Sequence, residues 1–70
     1  MNIIEKSKKL SVLIERKMNL QSALEYMRKE AMIGQATARY EWKYNALAAD
    51  CIEKELKEAI EEIEKIEREN

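Results

Sequence analysis

The sequence contains no histidine, no proline and no phenylalanine, and only one glycine and one cysteine among its 70 residues. Structural zinc sites use histidine and cysteine ligands, and a single cysteine forms no disulfide within the chain. Nucleophilic catalysis lacks its usual base when histidine is missing, and no glycine-rich phosphate loop is present. We therefore expect a protein that is not an enzyme and that binds no metal and no cofactor.

Long apolar runs are missing as well, because charged residues interrupt every apolar stretch; Val12-Leu13-Ile14 is among the longest. A membrane-spanning helix needs about 20 consecutive apolar residues. We therefore expect neither a signal peptide nor a membrane partner. A lone thiol suits a reducing compartment, which makes a cytoplasmic, intracellular protein the expectation.

Two heptad patterns are present instead, separated by the glycine Gly34. Their seam positions, spaced by three and four, are Leu10, Leu13, Lys17, Leu20, Leu24 and Met27, then Trp42, Asn45, Ala49, Ile52, Leu56 and Ala59. This pattern predicts an all-α antiparallel helical hairpin that forms a single domain over residues 1–70. We place helix 1 at about residues 3–32, the turn at about 33–37 and helix 2 at about 38–67. The alternative is one continuous coiled-coil helix, which would have to absorb a change of phase near Gly34.

The helix ends carry sequence signals of their own. Asn2 and Glu5 have the spacing of a capping box at the start of helix 1, although asparagine replaces the usual serine or threonine. Gly34 is predicted to close helix 1 as a left-handed residue, and Thr37 is predicted to cap the start of helix 2.

The same pattern predicts how the two helices pair. The expected partners across the seam are Ile3 with Ile66, Lys17 with Ile52, Leu24 with Asn45, and Met27 with Trp42. Residues 1–33 carry seven Lys or Arg against four Glu, whereas residues 35–70 carry six against ten acidic residues. Antiparallel pairing brings the lysines at 6, 8 and 9 alongside the glutamates at 61, 62 and 64. Each exposed pair is worth less than about 1 kcal/mol, so charge favours the orientation rather than explaining the stability.

Each helix also has a second apolar stripe outside the seam. Its members are Ile4, Ser11, Ile14 and Met18 on helix 1, and Tyr40, Tyr44, Leu47 and Cys51 on helix 2. A core of this size rarely supplies more than roughly 3–5 kcal/mol, and one seam cannot bury both stripes. We therefore expect a homodimeric four-helix bundle, with self-association through Ile4, Ile14, Met18, Tyr40, Tyr44, Leu47 and Cys51. Cys51 is interpreted as a small buried hydrophobe rather than a reactive thiol.

A candidate recognition site lies at the tip of the predicted hairpin. The segment 39–44 holds three of the four aromatic residues, and pairing is expected to bring residues 26, 28 and 29 beside it. The candidate partner-binding residues are Tyr26, Arg28, Lys29, Arg39, Tyr40, Lys43 and Tyr44. Tyrosine, tryptophan and arginine are the residue types that dominate binding hot spots. The alternative is that these aromatics serve packing only, with Trp42 against Met27 and the tyrosines in the dimer interface.

These features predict a protein–protein interaction module: an adaptor, regulator or inhibitor of a larger protein, acting through a helix face or the tip. One alternative is a structural oligomerisation or assembly unit. Another is a nucleic-acid-binding bundle, since the expected dimer resembles the Rop family of RNA-binding four-helix bundles in architecture, without a shared sequence motif. An isoelectric point near 5.5 makes nucleic acid the less favourable partner, because phosphate binding requires a concentrated basic patch.

Overall fold

The computed structural model describes residues 2–69 and consists of two α-helices packed against each other. Helix α1 spans Ile3–Ala36 and helix α2 spans Trp42–Arg68, with a turn at residues 37–41 between them. The described part of the chain is 53 Å long and only 14 by 12 Å in cross-section. The predicted all-α antiparallel hairpin is confirmed, and the alternative of one continuous helix is wrong.

Asn2 caps the start of α1 as predicted. Its side-chain Oδ1 accepts a hydrogen bond from the backbone N–H of Glu5 at 2.8 Å, while the backbone N–H of Lys6 donates to its carbonyl at 2.9 Å. Asn2 itself is extended, with φ −78° and ψ 167°, as a capping residue usually is. Asn2 thus accepts hydrogen bonds from two backbone N–H groups in the first turn of α1.

The glycine at the tip has a different role from the predicted one. Gly34 lies inside α1 and does not have a positive φ; the left-handed residue is Ala38, with φ 58°. A β-carbon at Gly34 would lie 2.8 Å from Cβ of Trp42, closer than two carbons can pack. Glycine is therefore required here for the close approach of the two helices, not for a left-handed turn.

The predicted turn is also displaced along the chain. Thr37 ends α1 instead of starting α2: its Oγ1 and its backbone N–H donate to the carbonyl of Ile33, at 2.8 and 2.9 Å respectively. Glu41 is the N-cap residue of α2, and its side chain makes no capping hydrogen bond. Consequently α1 is longer than predicted and α2 begins later, at Trp42.

The pairing of the helices is shifted by about one heptad from the predicted pairing. Gly34 packs against Trp42, and at the other end Nζ of Lys6 donates to the backbone carbonyl of Glu69 at 2.6 Å. Ile3 therefore lies beyond the end of α2 and is 83% exposed. The four predicted seam pairs are wrong, although the twelve heptad positions predicted to line the seam are all buried or half-buried.

The shift changes the surroundings of the two polar seam residues. Asn45 shares a groove at the tip with Glu30 instead of facing Leu24. Lys17 comes to the level of Ala59 instead of Ile52. Both polar side chains are half-buried and have small or polar neighbours, so they can reach water without passing a large apolar residue.

The core is a thin seam between the helices. Its buried residues are Leu24, Ala49, Ala59 and Ile63, and the other apolar seam residues from 10 to 66 are half-buried, apart from the buried Gly34. Within residues 2–69, neither helix contains an apolar stretch that could cross a lipid bilayer. Both outer faces of the hairpin remain open in the single chain and carry exposed large apolar residues.

Candidate functional site

Contacts between the helices identify two broad faces of the hairpin. Arg28 follows the seam residue Met27, and Glu53 follows the seam residue Ile52. Nη2 of Arg28 donates to Oε2 of Glu53 at 2.7 Å, so residues that come directly after a seam position share one face. We name it the Arg28 face.

The opposite face is defined by residues that come directly before a seam position. Arg16 precedes Lys17 and lines one groove together with Glu62, which precedes Ile63. We name this the Arg16 face. The division follows from antiparallel geometry, because the two helices run in opposite directions and are both right-handed.

The two halves of the predicted self-association surface lie on opposite faces. Ile14 and Met18 follow seam positions and lie on the Arg28 face, whereas Tyr44 and Cys51 precede seam positions and lie on the Arg16 face. All four are exposed. The expectation that a single interface buries both stripes is therefore wrong, because an interface between two faces covers one stripe and leaves the other open.

The tip half of the Arg16 face and its outer edge carry several exposed apolar side chains, which we together name the aromatic surface. Its members are Tyr26, Ile33, Tyr40, Tyr44, Leu47 and Cys51. Tyr26, Tyr44 and Leu47 are 60%, 58% and 62% exposed. The seam between them is floored by Ala23 and Ala48, both half-buried. Glu30 and Glu55 also precede seam positions, so on this face the two small residues alternate with carboxylates along the seam.

Tyr40 and Tyr44 form an ordered pair at one end of the aromatic surface. Their ring centroids are 5.8 Å apart in an edge-to-face arrangement, and their hydroxyl oxygens are 3.3 Å apart. The hydrogen bond with Tyr40, with a smaller contribution from desolvation, raises the pKa of Tyr44 above its ordinary value of 10.0. The Tyr44 hydroxyl is therefore neutral near pH 7 and can donate as well as accept a hydrogen bond.

Basic side chains surround the aromatic surface. Lys29 and Lys54 lie on the outer edges of α1 and α2, and Arg39 lies in the turn; all three are exposed. The ion pairs found within residues 2–69 involve none of the three. Their charges are therefore available to a ligand, although Glu30 and Glu41 share the tip groove with Arg39 and weaken the local positive potential.

The predicted site residues divide between the two faces. Tyr26, Tyr40 and Tyr44 belong to the aromatic surface, and Lys29 and Arg39 to its rim. Lys43 follows Trp42 and lies on the Arg28 face. Arg28 is held by Glu53, about three turns along α2 from Trp42. Tyr26 is two residues further from the turn on α1 and comes to the level of Asp50, so the expectation that Tyr26 and Arg28 lie beside the segment 39–44 is wrong.

The sequence reasoning missed part of the aromatic surface. Ile33 precedes Gly34, and Gly34 continues the seam that passes through Ala31. Interpreting Gly34 as a seam position would have placed Ile33 on the same face as Tyr44. Trp42 is half-buried against Gly34, so its role is structural, but the predicted contact with Met27 is wrong.

Cys51 is exposed in the hairpin, which contradicts the interpretation of a buried side chain for the single chain. No three histidine, cysteine or carboxylate side chains within residues 2–69 converge as a metal site. No family model, no curated protein and no solved structure matches the chain. The support for a function therefore comes from the chemistry of the exposed faces.

Proposed function

We propose that this chain is a non-enzymatic protein–protein interaction module that binds a partner protein through the aromatic surface. The observation that carries the proposal is the grouping of Tyr26, Tyr40 and Tyr44 with Ile33 and Leu47 on one open face. Contiguous exposed apolar patches mark interaction sites, and tyrosine supplies a large contact area with little conformational entropy to lose.

The shape and charge of the surface describe the partner. Ala23 and Ala48 leave room beside the seam on this face, which suits an amphipathic helix packed along the hairpin. Lys29, Arg39 and Lys54 at the rim favour acidic residues beside the apolar stripe of that helix. We therefore infer a partner segment that is helical, apolar on one side and flanked by Asp or Glu.

A regulator or adaptor role fits this architecture, because the hairpin offers an exposed face with large apolar side chains. A reducing intracellular compartment, such as the cytoplasm, also suits it, since Cys51 is a thiol exposed on the aromatic surface. Nucleic acid is the second candidate, supported by basic and aromatic side chains at the same surface. It is the weaker candidate, because the isoelectric point of the chain is near 5.5 and phosphate binding requires a concentrated basic patch.

To test the proposal, the unaltered full chain and its variants are each used to capture a partner protein from the native source, and the amounts captured are compared. Tyr26→Ala/Tyr44→Ala should lose a partner that the unaltered chain retains. Val12→Ala is the matched control, because Val12 is apolar, 66% exposed and on the same face at the other end. Circular dichroism of all three proteins checks that the helices remain intact.

Charge reversal then tests the chemistry of the rim. Lys29→Glu/Lys54→Glu should weaken capture, and more strongly at low ionic strength, because the partner is expected to be acidic. Capture that nuclease abolishes would replace the protein partner with nucleic acid. Equal capture by the double tyrosine variant and by the unaltered chain would overturn the proposal.

A further inference from the structure

The turn between the helices ends α1 in a way that usually requires glycine. The backbone N–H of Arg39 donates to the carbonyl of Gly34 at 2.7 Å, and that of Ala38 donates to the carbonyl of Gln35 at 3.2 Å. These two hydrogen bonds form a Schellman motif, in which the left-handed residue is most often glycine. Here that residue is Ala38, with φ 58°. The hairpin therefore depends on a strained alanine at its tip.

The turn residues 37–41, which we name the hinge, are otherwise compatible with a helix. They contain neither proline nor glycine. Thr37 donates to the carbonyl of Ile33 from Oγ1 at 2.8 Å and from its backbone N–H at 2.9 Å, as a threonine inside a helix does. On the other side of the hinge, α2 begins without a side-chain cap at Glu41. In a continuous helix the first N–H groups of α2 would donate to carbonyls four residues earlier.

We propose that two copies of this chain exchange their α2 helices, with each hinge straightened so that α1 and α2 form one continuous helix. The proposal concerns association of the chain with itself and does not depend on the binding of another protein. Gly34 and Trp42, which pack against each other in the hairpin, lie at equal distances along the sequence from Ala38. In the exchanged dimer Gly34 packs against Trp42 of the second copy. The twofold axis then passes between the two Ala38 residues.

The heptad pattern allows the seam to continue through the hinge. Ala38 follows Gly34 by four residues and precedes Trp42 by four, so all three lie on one side of a continuous helix. Two consecutive steps of four are a stutter, which locally unwinds a coiled coil without ending it. The side chain at the axis is small, so the two copies of Ala38 meet there without a clash. The change of phase near Gly34 thus falls at the centre of the proposed dimer.

The exchange keeps the contacts of the seam and removes the strain of the turn. Every residue of α1 that faces α2 of its own chain in the hairpin faces the same residue of the second copy in the dimer. The left-handed Ala38 becomes helical in both copies. A single straightened chain would leave its apolar seam in water, and the seam of a second copy is its exact complement.

The opening that exchange requires disrupts only a thin seam. The buried residues of the described chain are Leu24, Gly34, Ala49, Ala59 and Ile63. Within residues 2–69 the hairpin consists of two helices, so α2 is held by α1 alone. Association costs translational and rotational freedom, whereas the contacts are the same in both states. Protein concentration therefore decides between the hairpin and the exchanged dimer.

A glycine substitution in the hinge tests the proposal. Ala38→Gly should raise the dimer Kd about a hundredfold, because glycine favours the left-handed turn and disfavours a helix in both copies. Ala36→Gly is the matched control: residue 36 is helical in the hairpin and in the dimer, so the Kd should change little. Each protein is warmed and cooled at high concentration to allow exchange. Sedimentation equilibrium over a dilution series then measures each Kd.

A proline in the hinge gives a second test. The backbone N–H of Trp42 donates to the carbonyl of Arg39 at 3.4 Å, which makes residue 40 the second residue of a turn, a position that proline favours. Tyr40→Pro should therefore keep the hairpin but form no exchanged dimer, because proline breaks a continuous helix. Tyr40→Ala removes the same side chain, suits a helix, and should dimerise as the unaltered chain does. Circular dichroism checks that both variants remain helical.

Distances separate the exchanged dimer from two hairpins that stack through their outer faces. Cys51 is the single cysteine and is exposed, so it accepts a nitroxide label without any substitution. At 1.5 Å per residue on each side of the axis, the two labels of the exchanged dimer are about 40 Å apart, as electron–electron resonance measures. Small-angle scattering should show a rod about twice the 53 Å length of the hairpin.

Four results would each overturn the proposal. The first is an unaltered chain that stays monomeric at high concentration after warming and cooling. The second is an equal Kd for Ala38→Gly and Ala36→Gly, and the third is dimerisation of Tyr40→Pro as strong as that of Tyr40→Ala. The fourth is a dimer no longer than the hairpin, or one whose labels at Cys51 are at a different distance.

Discussion

Gly34 occupies a helical position at which alanine would ordinarily be the better residue, by about 1 kcal/mol. The added methyl group would meet Cβ of Trp42 at 2.8 Å, and that atom is fixed to the backbone of α2. Overpacking of this kind costs about 1–3 kcal/mol. We therefore expect Gly34→Ala to lower the free energy of unfolding by about 1–2 kcal/mol, measured by urea denaturation. Ser22→Ala, at an exposed helical site, should be neutral or slightly stabilising; a stabilised Gly34→Ala would contradict the close contact.

The Tyr40–Tyr44 pair gives a prediction at high pH. The hydrogen bond with Tyr40 raises the pKa of Tyr44, so its contribution to stability is complete below the ordinary value of 10.0 and is lost as the pH rises through the higher folded value. Tyr40→Phe should move the pKa of Tyr44 back towards 10.0. Titration followed by the ring resonances of Tyr44 measures this, and an unchanged midpoint would show that the two hydroxyl groups do not interact.

The left-handed conformation of Ala38 lowers the stability of the hairpin, and this cost can be measured. A left-handed alanine costs about 1–2 kcal/mol, whereas glycine adopts φ 58° without strain. Glycine also gives the unfolded chain more freedom, which offsets part of this gain. We expect Ala38→Gly to raise the free energy of unfolding by about 0.5–1 kcal/mol in thermal or urea denaturation. Ala36→Gly, in the last turn of α1, should destabilise instead.

At the scale of the helices, the heptad pattern predicted which residues line the seam but not which of them face each other. A shift of seven residues leaves every apolar position facing inwards, so the pattern is equally consistent with both pairings. The choice depends on the turn: Ala38 takes the left-handed conformation, Thr37 satisfies the last carbonyls of α1, and Gly34 admits Trp42. These are steric and hydrogen-bonding effects, and the spacing of apolar residues in the sequence does not predict them.

The predicted and the observed pairing of the helices give different expectations for Ile3 and Ile66, which lie at the end of the hairpin opposite the turn. In the observed register Ile3 has no opposite residue, whereas Ile66 is half-buried and shares a groove with Leu13. Ile3→Ala should change the free energy of unfolding by less than about 0.5 kcal/mol, and Ile66→Ala should lower it by about 1–2 kcal/mol. Both are measured by urea denaturation at a protein concentration where the chain is monomeric. Equal losses would favour the pairing of Ile3 with Ile66.

At the scale of the whole molecule, the sequence identified most of the exposed apolar residues but combined those of two faces into one surface. The information that separates them was present, because residues before and after a seam position diverge in any antiparallel pair. The rim of the aromatic surface was harder to predict. Lys54 lies at the level of Ser22 along the hairpin only in the observed pairing of the helices. The same pairing places Arg28 beside Glu53, away from the tip.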